Sequence, residues 1–531
     1  MVENLLDYSV PLDINLTISD DLAEQVYDAT TITGYKKSRV PQLQVLLANL
    51  ITNHNTDLDL YTAVSQDNSA YKTKSRYNSF SIGKSFVSLL KTMSGNGWLE
   101  LHKGFSDRNT GISRRSRIKP TQKLLTLMET LEALSGLATY APSTECIILR
   151  DENKQEKEYK DTDLKQIDLD RKPIDASDLR KTLTAYNNLL HKTAIDHPTF
   201  LDEGVVMKDD RIFKINPSDK FVRRIYNRSS FEWNGRFYGG WWQRIPKEYR
   251  KGIKINGWPT TELDFSAFHM VLLYSLSGID YWAEIGTDPY LLEDYVVSSE
   301  QIRSLLKIVV LIAVNSESRT QALNAIRHKI NTTNRDQFSW FRQGNYGLEH
   351  ILDLFIEKHR PIADRFFNPG ELSVANIDSD IAEYVINEFT KESMAILSIH
   401  DSFIVPFVME NGLRYTMQKA CEFVSELRLG TAIKKTKISF EFGTVKDSKI
   451  PNRTIMDSAN DLNIIMNDRN SDIFNIQDFD KHKKVVNRRY CGTTGTGSGH
   501  EPRRTADGTV YTVRVIQPEG TGITTLVLVK D

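Results

Sequence analysis

Thr261-Glu262-Leu263-Asp264-Phe265-Ser266-Ala267-Phe268-His269 reads as a short strand ending in an acid, with a helix (Met270 to Leu276) behind it. A second stretch has the same logic. Met394 to Ile399 reads as a strand, His400-Asp401-Ser402-Phe403 as its turn, and Ile404-Val405-Pro406 as the return strand. An acid at a strand end or hairpin tip projects a carboxylate outward. Two such carboxylates side by side hold two divalent ions about 3.5–4 Å apart. Mg²⁺ suits them, being a hard cation held by few carboxylates plus substrate phosphates, and Mn²⁺ is the natural substitute. Asp264 and Asp401 are therefore candidate metal ligands, while an acid standing alone before a helix, as Asp264 does, is more often a helix cap.

Between the acids, Glu300 to Lys329 is strongly helical in pattern and carries Arg303-x-x-x-Lys307. Residues four apart share one helix face, so an arginine fork and a lysine point charge could clamp a triphosphate together. Upstream stands Phe231-Glu232-Trp233-Asn234-Gly235-Arg236-Phe237-Tyr238, then Trp241-Trp242-Gln243-Arg244-Ile245-Pro246. Gly235 lets the Arg236 guanidinium meet a backbone phosphate closely. Tyr238 and its aromatic neighbours either stack on a nucleotide or pack as core; Trp241-Trp242 reads as core.

The ordered set is Gly-Arg, an Asp 28 positions on, Arg-x-x-x-Lys on a helix, and His-Asp on a hairpin. It resembles the palm and fingers of family A DNA polymerases and of the single-subunit, phage-type RNA polymerases. The resemblance implies that Asp264 (motif A) and Asp401 (motif C) bind the catalytic metals and that Arg303 and Lys307 (motif B) bind the incoming nucleoside triphosphate. It implies that Arg236, Arg244 and His400 face the primer–template. His400-Asp401-Ser402-Phe403 is closer to the RNA enzymes, because the DNA enzymes usually have Glu where Ser402 stands. Asn315-Ser316 replace the usual Tyr-Gly of motif B, and His269 replaces the Glu under the sugar, so Asn315 and His269 join the expected nucleotide-facing set. Asp378-Ser379-Asp380 reads first as a helix cap, and its position also resembles the family's residues near the primer terminus.

The N-terminal third carries a different signal. Gln42 to His54 and Ser81 to Met93 have helical apolar periods; Trp98 to Leu101 and Arg117-Ile118 read as strands around a basic loop. Helix, helix and a hairpin with an arginine-rich tip resemble a winged helix. The resemblance implies that Lys84, Ser85, Ser88 and Lys91 enter a DNA groove, while Arg108, Arg114, Arg115 and Arg117 touch its backbone. Gly83-Lys84-Ser85 is no phosphate loop, because Asn78 stands where that motif needs glycine.

The chain has 531 residues and a net charge of −1, which excludes a globally basic nucleic-acid binder. Its charge is nevertheless uneven: residues 71–125 carry +10 and residues 211–254 carry +9. Such segments are either two polyanion-facing surfaces or loops balanced elsewhere in space. Three scattered cysteines form neither a zinc pattern nor a disulfide framework. Without a long apolar run or a leader-like start, no membrane partner is expected, and a cytoplasmic setting in a bacterium, phage or mobile element is the expectation.

The expected architecture is α+β and multi-domain. It runs from an arm (1–38) and a winged helix (39–136) through a connector with a reduced thumb (137–220) to a reduced right hand (221–446), an antiparallel palm sheet with helical fingers. A polar linker (447–490) and a Gly-rich β-hairpin tail (491–531), accessory or appended, follow. The expected partners are a DNA template, single- or double-stranded, and nucleoside triphosphates, with RNA as a candidate product. The expected function is template-directed nucleotidyl transfer, primase-like in one version. The alternative is a non-catalytic DNA-binding protein that retains the polymerase fold.

Overall fold

The computed structural model describes residues 9–429 apart from 31, 33, 69, 107–112, 132–137, 160–163, 166–173, 199–204, 208–211, 214, 293–298, 333–336, 344–346 and 369–372. Beyond 429 it describes 442–446, 485–486, 503–504, 510–516 and 525–530. The fold is α+β. The chain divides into two compact units: Met1–Ile148, Asp196–Arg223 and Gly239–Arg250 form one, and Leu149–Ile195, Arg224–Tyr238 and Lys251–Asp531 form the other.

In the first unit, β1 (Ser9–Pro11), α1 (Asp20–Ala29), α2 (Lys36–Thr56), β2 (Tyr61–Val64), α3 (Lys84–Gly95), β3 (Leu99–His102), β4 (Ser116–Pro120) and α4 (Gln122–Thr130) follow in order. The sheet order is β1-β2-β4-β3, with β1 parallel to β2 and the other pairs antiparallel. Its core is α2. Leu43, Val45, Leu46, Leu47, Leu50 and Ile51 are all buried, and so are the polar Gln42, Gln44, Asn49 and Asn53, so the unit wraps this helix. The α3 end shows why Ser94-Gly95-Asn96-Gly97 stops a helix: Gly97 takes φ +74°, Trp98 N–H donates to the Met93 carbonyl, and Gly97 N–H to that of Ser94.

The second unit contains α5 (Ala176–Lys192). The strands β5 (Val222–Tyr226) and β6 (Asn234–Gly239) enter this unit through Arg224–Tyr238. The central sheet is built on β8 (Trp258–Phe265), which makes a hairpin with β7 (Lys254–Ile255). After β8 come α6 (Phe268–Leu276), α7 (Ser299–Ala313), α8 (Arg319–Asn331), α9 (Leu348–Lys358) and α10 (Val374–Lys391). Then β9 (Leu397–Ile399), β10 (Ser402–Pro406), α11 (Glu410–Leu429) and β11 (Phe442–Lys446) complete the layer. β8 lies between β10 and β11, antiparallel to both, and β9 pairs outside β10. Helices α10 and α11 pack together.

The stretch 300–329 is two helices, not one. Asn315 and Ser316 side chains donate to the carbonyls four residues back, Leu311 and Ile312, and Ser318 caps the next helix through the Gln321 N–H. Three polar side chains that compete for backbone groups end one helix and start another. In the tail, β12 (Val510–Ile516) pairs antiparallel with β13 (Thr525–Lys530).

Candidate active site

Two adjacent strands bring the acids together. In the β8–β10 register Asp264 stands opposite Ser402, and Asp401 directly precedes Ser402 in the β9–β10 turn. The Ser402 hydroxyl donates to Glu262 Oε1 at 3.1 Å, tying the same two strands in their buried interior. Both turns next to the acids are strained: Ala267 has φ +52° and His400 has φ +56°, in the region L-residues seldom adopt. Such conformations persist only where the surroundings impose them, and they gather at functional sites.

Burial, then the neighbouring Asp378 carboxylate, push the Asp401 carboxyl up to about 6. A desolvated carboxylate beside another gains from a cation, and hard oxygen donors suit Mg²⁺ or Mn²⁺. No group of three or more His, Cys, Asp or Glu side chains among the described residues forms a metal cage by itself. Carboxylate oxygens of this kind are hard donors that suit Mg²⁺ when substrate oxygens complete the shell.

Arg236 does not present an open fork to a phosphate backbone. Its Nε and Nη2 donate to Asp378 Oδ2 at 2.9 and 2.5 Å, and Nη2 also reaches His269 Nε2 at 3.0 Å. Guanidinium only donates, so His269 Nε2 accepts and its ring proton belongs on Nδ1. Burial alone would lift the Asp378 carboxyl; the Arg236 fork against it helps hold it below its ordinary value. Beside this pair, Arg224 is 1 % exposed and is held by Asp380 at 2.8 Å and Glu383 at 2.5 Å. Asp378 and Asp380 therefore lie inside α10 as buried partners of arginines, and the capping role expected for them is incorrect: Ser373 is the N-cap. Glu383 was not singled out in the sequence, and Asp378 and Asp380 were read as a cap or as residues near a primer terminus, not as partners of arginines. Their role becomes visible only with the arginines opposite.

Arg303 and Lys307 do share a face. Both lie over the ring of Tyr290, at 5.5 and 5.9 Å from its centre. Arg303 Nε is held by Asp288 at 2.7 Å, while Lys307 is exposed. Burial raises the Tyr290 hydroxyl above its ordinary value; Arg303 opposes this, and Asp288 and then Asp401 add to it. The loop bearing Tyr290 is anchored from behind: Lys358 Nζ donates to the carbonyls of Asp288 and Leu291, and His359 Nε2 to that of Pro289. Burial pulls His359 down to about 4, leaving it a neutral core histidine. Tyr290 was not singled out in the sequence, because nothing local marks it. Asn315, expected to face the nucleotide, is exposed and its amide closes its own helix end.

Tyr238 meets His400 edge-on, with ring centres 5.4 Å apart. Burial and then Arg236 lower the His400 imidazole below its ordinary value, and its buried Nδ1 has no hydrogen-bond partner among the described residues. Arg244 belongs to the first unit, where it pairs with Asp219. Trp241 and Trp242 are fully buried core residues there.

Of the first unit's expected DNA contacts, Lys84, Ser88 and Lys91 are exposed on α3, and Ser85 is half-buried against α2. Arg115 is exposed, and Arg114 lies 5.8 Å from the Phe105 ring centre. Arg117 is a correction: it is 7 % exposed, in the middle strand β4 between Ala63 and His102, and meets no outer surface. Arg108 lies outside the described residues.

No family model matches this chain, and no curated protein matches it. Among solved structures it is similar to the POL domain of Pol1 from M. smegmatis in complex with DNA primer-template and dNTP. Identity is 13%, coverage is 82% of this chain and 67% of that one, and the TM-score is 0.25. So loose a superposition assigns no residue a role.

Proposed function

We propose that the second unit carries out template-directed nucleotidyl transfer at Asp264 and Asp401, on the plan of the family A and single-subunit polymerases, and that the first unit holds DNA through a winged-helix face. One observation supports the reading: the β8–β10 register sets Asp264 opposite Ser402, the residue after Asp401, while Arg303 and Lys307 share one helix face over Tyr290. Asp264 and Asp401 would hold Mg²⁺, which when bound supplies activation of the attacking hydroxyl and neutralisation of the leaving pyrophosphate. Lys307, exposed, offers a point charge to the triphosphate. Arg303 would exchange Asp288 for phosphate oxygens. Arg236 keeps Asp378 and His269 in place beside the acids. Positioning and charge neutralisation then do most of the catalytic work.

The test is incorporation of labelled rNTPs and dNTPs, with and without primer, on single-stranded DNA with Mg²⁺. Wild type should extend, and Lys307→Ala should raise the KM for nucleotide. The non-catalytic alternative draws on the carboxylate partners already engaging Arg236 and Arg303. It requires DNA binding with no incorporation under any of these conditions.

A further inference from the structure

Tyr35 is 89 % exposed, the most exposed large hydrophobic side chain among the described residues. Exposure alone would mean little, but its backbone is pinned. Gly34 before it has φ +118°, and a Cβ there would meet Arg39 Nε at 2.9 Å. The Tyr27 hydroxyl donates to the Gly34 carbonyl at 2.6 Å, and the Ser38 and Arg39 amides donate to the Tyr35 carbonyl at 2.9 and 3.1 Å. An aromatic ring on a fixed backbone loses little further freedom on binding.

Its surroundings are basic. One turn along α2, Arg39 crosses to α3, donating to the Ser85 carbonyl at 2.6 Å and the Ser88 hydroxyl at 3.4 Å. Gln42 joins Ser85 beside it. The first turns of α2 and α3 are thus locked together, which puts Tyr35 and Lys37 next to the face that exposes Lys84, Ser88 and Lys91. Lys36 is engaged by Glu24 and Asp28, but Lys37, Lys84 and Lys91 have no acidic partner among the described residues.

We infer that Tyr35 is a stacking platform for an unpaired base, on a DNA strand that leaves the duplex held by the α3 face. This rests on the winged-helix reading and extends it from a duplex to a duplex with a single-stranded extension. The charge favours nucleic acid, and the flat exposed ring favours a base with an open face.

The test uses the full chain with two DNA probes, a blunt duplex and the same duplex with a single-stranded tail carrying 2-aminopurine at its first unpaired position. Affinity is read by anisotropy and stacking by quenching of the 2-aminopurine. Tyr35→Ala should weaken the tailed probe about 5- to 100-fold and abolish the quenching, while the blunt duplex is unaffected. Tyr35→Phe should bind both probes as wild type does. Equal affinity of Tyr35→Ala and wild type for the tailed probe, or an equal loss on both probes, would overturn the inference. Lys84→Glu/Lys91→Glu should weaken both probes. If it weakens neither, the duplex-binding face itself is wrong, a failure separable from that of Tyr35.

Discussion

The two basic segments look alike as strings and differ in space. Within residues 211–254 four arginines are met by acids: Arg223 pairs with Asp13, Arg224 with Asp380 and Glu383, Arg236 with Asp378, and Arg244 with Asp219. Residues 71–125 keep Lys84, Lys91 and Arg115 on the outside. A run of positive charge thus means a scaffold in one place and an open surface in the other. What separates them is the presence of acids distant in sequence that fold back to meet the charge.

The largest test of this contrast is Arg224→Ala. It strands Asp380 as a buried charge and leaves the half-buried Glu383 unpaired with it, and losing one partner of a buried ion pair costs about 3–5 kcal/mol. Thermal unfolding of the second unit should shift down sharply. An unchanged transition would mean that the segment's charge is not structural.

Asp401→Asn comes next and has the opposite sign. The Asp401 carboxyl titrates at about 6 in the fold and near its ordinary 3.8 when unfolded. The folded protein therefore binds the proton more tightly, and stability falls as pH rises from about 4 through 6. At pH 7.5 without divalent cation, Asp401→Asn should stabilise by about 1–2 kcal/mol, and at pH 3.5 by almost nothing. Adding Mg²⁺ should raise the wild-type Tm and leave that of the variant in place. A variant less stable than wild type at pH 7.5 in chelator would remove the crowded-carboxylate account.

Lys84→Ala and Lys91→Ala should have the smallest effect on stability, within about 0.5 kcal/mol. They should still weaken DNA binding, each lowering the salt slope of the binding constant by about 1. Unchanged slopes would make the first segment as internal in function as the second.

Much of the centre was legible because local patterns suffice for it. A strand ending at Asp264, a His-Asp hairpin tip and a four-residue spacing of Arg303 and Lys307 each need only neighbours in sequence. The rest depends on pairs that no local pattern contains. Arg236 and Asp378 are 142 positions apart, and Arg224 and Asp380 are 156 apart. Arg117 reads as a wing residue until the register of β4 shows it in the middle of a sheet. Tyr290 has no signature before α7 and the anchored loop meet. The helix break at Asn315-Ser316 was visible as a departure from the resembled pattern, but its cause, side chains capturing backbone carbonyls, was not.

The central claim is that Asp264 and Asp401 act as one cation-dependent centre. A double-mutant comparison of nucleotide incorporation tests it most directly, with Asp264→Ala, Asp401→Ala and the pair assayed in Mg²⁺ on primed and unprimed DNA. Each single variant should lose about 10³-fold or more, and the double variant should lose no more than either, as groups acting as a unit do. Losses that multiply, or a single variant that still incorporates at the wild-type rate, would contradict the account.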